Sequence, residues 1–116
     1  MSRAALGDAG EALVSAHLEG QGFAIVERNA RLGRLEIDLV ARRGALLVFC
    51  EVRTRASDAF LDPIDTIDRA KQRRIRQAAQ IWLLRRGLGD SEVRFDAASV
   101  LLSGERRELN YYEDAF

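Results

Sequence analysis

Apolar positions recur along this chain with two periods, and the switches between them set out the elements. From about Ala4 to Glu19 the spacing predicts a helix, with Leu6, Ala9, Leu13, Ala16 and Gly20 on one stripe. Asp8 and Glu11 stand three apart, as in an Asp variant of the capping box, and Gly20 and Gly22 end the segment. Three strand-like runs follow. Phe23–Glu27 is short and rich in β-formers. Glu36–Ala41 and Leu46–Val52 are joined through Arg42-Arg43-Gly44-Ala45, a hairpin signal. Leu46-Leu47-Val48-Phe49-Cys50 is continuously apolar, which marks a central strand covered on both faces. Arg55–Asp62 is small and polar and reads as a loop. A second helix is expected from Asp65 to Arg86, with Ile75, Ala78, Ala79 and Trp82 as its core stripe and Gly87 and Gly89 beyond its end. Arg94–Leu102 reads as a fourth strand, and after the Ser103-Gly104-Glu105 turn Leu109–Tyr112 reads as a fifth. The order α-β-β-β-α-β-β predicts an α/β fold with a mixed sheet flanked by helices.

Composition narrows the class. With 116 residues, 47% hydrophobic and 31% charged, the chain is expected to form one globular domain over 1–116. No apolar run approaches the roughly 18 residues that span a bilayer, and Met1–Gly10 has no apolar signal-peptide core, so a cytoplasmic protein is expected. The single cysteine, Cys50, excludes an internal disulfide framework and a cysteine-rich zinc site and is expected to pack as a small hydrophobe. There is no Walker loop, Ser/His/Asp arrangement or dinucleotide fingerprint. Eighteen basic residues balance eighteen acidic ones, so the chain is not cationic throughout. The balance is local, however, and of the basic residues only Lys71 is lysine.

Charge inside the best strands carries the candidate chemistry. Glu36 and Asp38 are two apart and share a face of their strand; Glu51 and Arg53 do the same at the end of the most apolar run. A carboxylate beside a buried strand is costly unless it is paired or bound to metal. Three carboxylates against one guanidinium leave negative charge that suits a hard cation such as Mg²⁺ or Mn²⁺. In an antiparallel hairpin Asp38 and Glu51 share a face if opposed residue numbers sum to an odd value, and sums of 87 or 89 correspond to common turns around Arg43-Gly44. The competing reading is a strand-end salt bridge from Arg53 to one carboxylate.

These residues also carry a resemblance. Asn29, Leu35-Glu36-Ile37-Asp38-Leu39-Val40 and Phe49-Cys50-Glu51-Val52-Arg53 resemble the YraN family, a bacterial family of the restriction-endonuclease-like superfamily that also holds archaeal Holliday-junction resolvases. The resemblance runs from Gly10-Glu11 through Pro63 and Lys71 to Arg94-Phe95-Asp96. It implies a restriction-endonuclease-like core and a metal-dependent nuclease, with Asp38 and Glu51 as metal ligands, the Val52 carbonyl as a further ligand, Arg53 at the position of a lysine, and Glu11 and Glu36 joining the site. Two positions depart from the family pattern: Leu35 replaces a glycine, and Arg53 replaces the lysine. Arginine can orient water or stabilise phosphate charge but cannot give up a proton near neutral pH.

The second helix adds a basic surface. Arg69–Arg86 holds seven basic residues and no acidic ones. Arg69, Arg73 and Arg76 fall on one ridge, either a solvated face or a phosphate-backbone contact. Lys71 lies in line with the core stripe, either snorkelling at its rim or reaching the carboxylates or a phosphate. Glu11 lies beside Val14 and Leu18, a capping partner on spacing alone. His17 reads as a packing residue, and Tyr111, Tyr112 and Phe116 read as terminal-strand packing, with stacking on bases as the alternative. The leading expectation is a nuclease acting on DNA rather than RNA, on branched or non-standard structures, with Mg²⁺ or Mn²⁺ and as a homodimer if two strands are cut. The alternatives are a non-catalytic nucleic-acid-binding module, favoured by Arg53, and a protein-interaction domain, favoured by zero net charge.

Overall fold

The structure, a computed structural model, describes residues 1–57 and 67–116. Helix α1 spans Arg3–Gly20, and Ser2 caps it by accepting the Ala5 amide at 3.1 Å. The helix therefore starts before Asp8, and the Asp8–Glu11 capping box does not form. By Asp8 the amides already have partners within the helix, so a cap there would satisfy nothing. The buried stripe also differs from the expected one: Gly10, Val14, Ser15 and Leu18 are buried, whereas Ala16 and Gly20 are exposed. Small residues made the expected stripe look apolar but offer little area to bury; Val14 and Leu18 offer more. The correction turns Glu11 towards the protein, beside Val14 and Leu18.

The strands are β1 (Ala24–Leu32), β2 (Leu35–Arg43), β3 (Leu46–Arg55), β4 (Glu92–Ser103) and β5 (Arg106–Tyr112), with helix α2 (Arg69–Arg85) between β3 and β4. The order is the expected α-β-β-β-α-β-β. β1 runs beyond the expected Phe23–Glu27. Its polar stretch after Glu27 has no alternation to read, yet it finds antiparallel partners in β2 from Arg28↔Leu39 to Leu32↔Leu35. Asp68 caps α2, accepting the Lys71 amide at 2.8 Å. Pro63, most of the expected loop and the first residues of the expected second helix lie outside the described residues.

The five strands form one sheet in the order β1-β2-β3-β4-β5. Only β3 and β4 run parallel, the pairing that needs a crossover, and α2 stands in that connection. β3 is central, as expected. Val48 and Cys50 pack with Val14 and Leu18 of α1, while Leu47 and Phe49 pack with Ala78, Ala79 and Trp82 of α2. No helix is long and apolar enough among the described residues to cross a membrane.

One irregularity positions everything that follows. The β2–β3 ladder stops at Leu39↔Cys50. β2 nevertheless begins earlier, at Leu35, and stays paired to β1 as far as Leu32↔Leu35. β3 runs on to Arg55, paired throughout with β4. The sheet thus forks, with the β1–β2 hairpin on one side and β3–β4 on the other.

Gly10 lets α1 approach the β3 side of the fork. A Cβ at this position would stand 2.8 Å from Cγ2 and 2.9 Å from Cβ of Thr54. Gly10→Ala should therefore destabilise the protein by about 1–3 kcal/mol through overpacking, despite a helix-propensity gain of about 1 kcal/mol. Thr54→Ala should recover part of that loss. Thermal melts of both single variants and the double variant check this; a more stable Gly10→Ala protein would contradict it.

Candidate functional site

At the fork the strand registers bring two carboxylates together. Every opposed pair between β2 and β3 has residue numbers summing to 89, one of the two expected values, and this places Asp38 facing Glu51 where the ladder has stopped. Beyond Cys50 the next β3 amide aimed at β2 is that of Val52, and no β2 carbonyl receives it. The Asp38 carboxylate takes the carbonyl's place: Val52 N–H donates to Oδ2 at 2.8 Å. Asp38 and Glu51 also stand within hydrogen-bonding reach of each other. Their contact requires a proton between them, since two bare carboxylates only accept.

Two cations close on the pair. Lys71 Nζ, from the first turn of α2, lies 3.5 Å from Glu51 Oε1. Arg53 Nη2 lies 3.6 Å from the same oxygen. Lys71 therefore reaches the carboxylate cluster, one of its two expected targets. Its backbone amide is anchored by Asp68, which fixes where the side chain departs. The Arg53–Glu51 ion pair also exists as the competing reading required, but as one arm of a cluster. Arg53 Nε is buried and has no hydrogen-bond partner.

Glu51 is 4% exposed, and burial pushes its carboxyl up to about 7, with Asp38 adding to the rise. Lys71 and Arg53 pull the other way without cancelling it. Burial raises Asp38 as well, opposed mainly by the bond from Val52. Two acids in one low-dielectric site cannot both ionise at ordinary cost, so near neutral pH the pair holds about one proton.

The other expected site residues lie farther out. Glu36 faces Arg31 across the β1–β2 hairpin, with a 4.0 Å ion pair. Its charge raises Asp38, which places it near the pair but apart from it. Glu11, on α1, is half-buried and raised by that burial and then by Asp38. Asn29 opposes that rise, and its φ of +52° is a left-handed conformation that asparagine tolerates. Val52 enters the observed geometry through its amide. Among the described residues no three His, Cys, Asp or Glu side chains converge on one point suited to a metal. On α2, Arg69, Arg73 and Arg76 are exposed along one face, as the ridge requires. The Arg76 guanidinium lies 4.6 Å from the centre of the Phe95 ring.

Sequence reasoning left one buried acid without a role. Asp96 is fully buried and accepts from Arg94 Nε and Nη2 at 2.9 Å each, from Tyr111 Oη at 2.5 Å and from the Asp114 amide at 3.0 Å. The available signal was an Asp within an apolar strand, next to Phe95 and Ala97. Its register with Cys50 places it on the face opposite Glu51, and four donors leave it satisfied, so it anchors the C-terminal segment. The packing expectation holds for His17, which lies tilted against Tyr111, for Phe116, which stacks on Phe95, and for Cys50, buried in the core; Tyr112 is instead exposed, on the edge strand β5.

Comparison with known proteins places this arrangement in a family. UPF0102 protein sce2912 of Sorangium cellulosum is 49% identical over 109 residues, covering 90% of this chain and 76% of that protein. A UPF0102 protein of Dictyoglomus turgidum is 36% identical over 118 aligned positions that cover 100% of each chain. A solved structure of Archaeoglobus fulgidus Hjc, a Holliday junction resolvase from an archaeal hyperthermophile, aligns at 18% identity with a TM-score of 0.49, covering 89% of this chain and 72% of that one. The model of Uncharacterised protein family UPF0102 matches residues 10–100, which include Glu11, the fork and Lys71, and the chain belongs to that family, the YraN family.

Proposed function

We propose that this protein is a divalent-cation-dependent nuclease that hydrolyses phosphodiester bonds in DNA, with branched or otherwise non-standard structures as its preferred substrates. The observation that carries the reading is the contact of half-buried Asp38 with buried Glu51 at the fork, with Lys71 and Arg53 beside Glu51. Two acids sharing one desolvated site and one proton are costly to the metal-free protein, and a cation could replace that proton. Mg²⁺ fits that role, because it commonly takes one or two carboxylates and completes its shell with water and substrate oxygens; Mn²⁺ suits the same oxygen donors. Asp38 and Glu51 would hold the cation, with the Val52 carbonyl as a further ligand and Glu36 and Glu11 acting from outside. DNA as the substrate rests on the family resemblance.

When bound, such a cation supplies Lewis-acid polarisation of a phosphoryl oxygen. The chain's own groups supply position and charge. The Val52 amide orients Asp38. Lys71 and Arg53, both on Glu51 Oε1, present cationic donors to a phosphate drawn into the fork. Arg53 acts as a fixed charge. Lys71, the chain's one lysine, brings an ammonium to the same carboxylate from another element. The second reading, a binding module that cuts nothing, is favoured by Arg53 at the lysine position of the motif.

Three measurements test these readings. In metal-free protein, Glu51 holds a proton up to about pH 7 that an unfolded chain releases near its ordinary value of 4.5. Stability should therefore fall as pH rises between those values and level off above them, by on the order of 1–3 kcal/mol. Melts across this range should show the fall in wild type and a flatter profile in Glu51→Gln. At pH 8, Mg²⁺ or Mn²⁺ should raise the melting temperature of wild type and not of Glu51→Gln; no rise in wild type would end the metal reading.

Cleavage is the second measurement. Asp38→Asn and Glu51→Gln should each abolish Mg²⁺- or Mn²⁺-dependent cutting of branched, single-stranded and duplex DNA. Arg53→Lys should retain activity if Arg53 serves as a fixed charge, and should raise it strongly if Arg53 marks a weakened site. DNA binding without cleavage by either wild type or Arg53→Lys would establish the binding module instead.

The third concerns the ridge. If Arg69, Arg73 and Arg76 contact phosphates, reversing their charges should weaken binding to all sequences alike and flatten its salt dependence by roughly one unit of slope per lost contact. Unchanged affinity and slope would leave the ridge as a solvated face.

A further inference from the structure

The fork has a second basic side, formed by the free part of the β1–β2 hairpin rather than by α2. Beyond the last β2–β3 pair, this hairpin leaves the sheet's central ladder and carries Asp38, Glu36, Arg31 and Arg34 in order towards its tip at Gly33-Arg34. Arg31 is opposed to Glu36, and opposed residues share a face. Glu36 lies close enough to Asp38 for its charge to act on that carboxyl. The Arg31 side chain therefore projects on the carboxylate side of the hairpin. Its contact with Glu36 is loose, at 4.0 Å with 76% of the Arg31 side chain exposed. An exposed pair of this kind contributes little to stability, so exchanging Glu36 for a phosphate costs little. Arg34 is exposed at the tip. Gly33 takes a φ of +67° beside it, which lets the turn close without a side chain in the way.

We propose that the β1–β2 hairpin is a substrate arm, in which Arg31 and Arg34 hold the sugar-phosphate backbone of the same nucleic acid whose phosphodiester enters the fork. This deepens the nuclease reading and rests on its choice of a nucleic-acid partner. The span from Asp38 to Arg34 is four residues, or about 13 Å at strand rise. One DNA strand advances about 3.4 Å per nucleotide along the duplex, so the tip meets the backbone about four nucleotides from the phosphate at the carboxylates. The contacts fall on phosphates and read no bases. The arm and the α2 ridge then flank the fork from opposite sides, and the strand passes between them across Asp38 and Glu51.

Fluorescence anisotropy with labelled duplexes of stepped length, in EDTA so that nothing is cut, tests the arm. Arg31→Gln/Arg34→Gln is compared with wild type and with Arg107→Gln, which removes a charge from β5 at the far edge of the sheet. The expected result is a salt slope lower by about 0.9 per lost contact for the double variant. The shortest duplex giving its full affinity should also be shorter by about four base pairs. Arg107→Gln should match wild type in both respects. A wild-type slope in the double variant, an equal loss in Arg107→Gln, or an unchanged minimum length overturns the arm. The nuclease reading fails separately, on a wild-type protein that binds DNA but cuts none with Mg²⁺ or Mn²⁺. Wild-type protein with no salt-dependent DNA binding overturns the arm as well.

Discussion

A backbone amide held by a carboxylate is the constraint on which the candidate site depends. Where β2 parts from β3, the Val52 N–H would have been left inside the protein without a partner. Asp38 Oδ2 accepts it at 2.8 Å. An unpaired buried amide costs about 1–3 kcal/mol, so this bond lets the fork open at that residue and not elsewhere. The same bond turns Asp38 inward, against Glu51. The fork and the carboxylate pair are therefore one feature: the strands separate where an acid can finish the ladder, and the acid is half-buried and turned inward because it does so. Lys71 and Arg53 then offset part of the desolvation of Glu51, leaving its carboxyl raised to about 7.

How legible this was in the sequence depended on which physical signal carried each part. Apolar runs exposed β2, β3 and β4, that of β3 being continuous, and two common hairpin turns allowed Asp38 and Glu51 to share a face, one of them with the observed sum of 89. Lys71 was legible because it lay in line with Ile75, Ala78 and Trp82, so its stem had to run along the core. What stayed hidden had no periodic signature. The second half of β1 is a polar stretch, and its strand conformation comes from pairing with β2, not from its own side chains. The buried stripe of α1 was misplaced because small residues count as apolar without supplying much area. That error left Glu11 a capping partner on spacing alone, although it lies beside the stripe that is really buried. Asp96 was visible as an acid in an apolar strand, but its four donors come from β4, β5 and the C-terminal segment, and no local pattern joins those.

The zero net charge, which favoured a protein-interaction domain, weakens as an argument once the acids are placed. Glu51 and Asp96 are buried. Glu27 is held by Trp82 Nε1 at 3.0 Å and by Arg86 at 2.6 Å. These acids perform internal work, and each takes its share of cation with it: Lys71 and Arg53, Arg94, and Arg86. The arginines that remain outside such pairs include Arg69 and Arg73 on α2 and Arg34 at the hairpin tip, all exposed. Net charge sums over the chain, whereas a polyanion meets a surface. Attraction between exposed charges fades over about 8 Å at physiological ionic strength, so a phosphate at the fork responds to the arginines beside it and hardly to acids on the far edge. A neutral chain can thus present a basic approach to an acidic centre, provided its acids are spent on folding near that centre and its arginines are left along the rim.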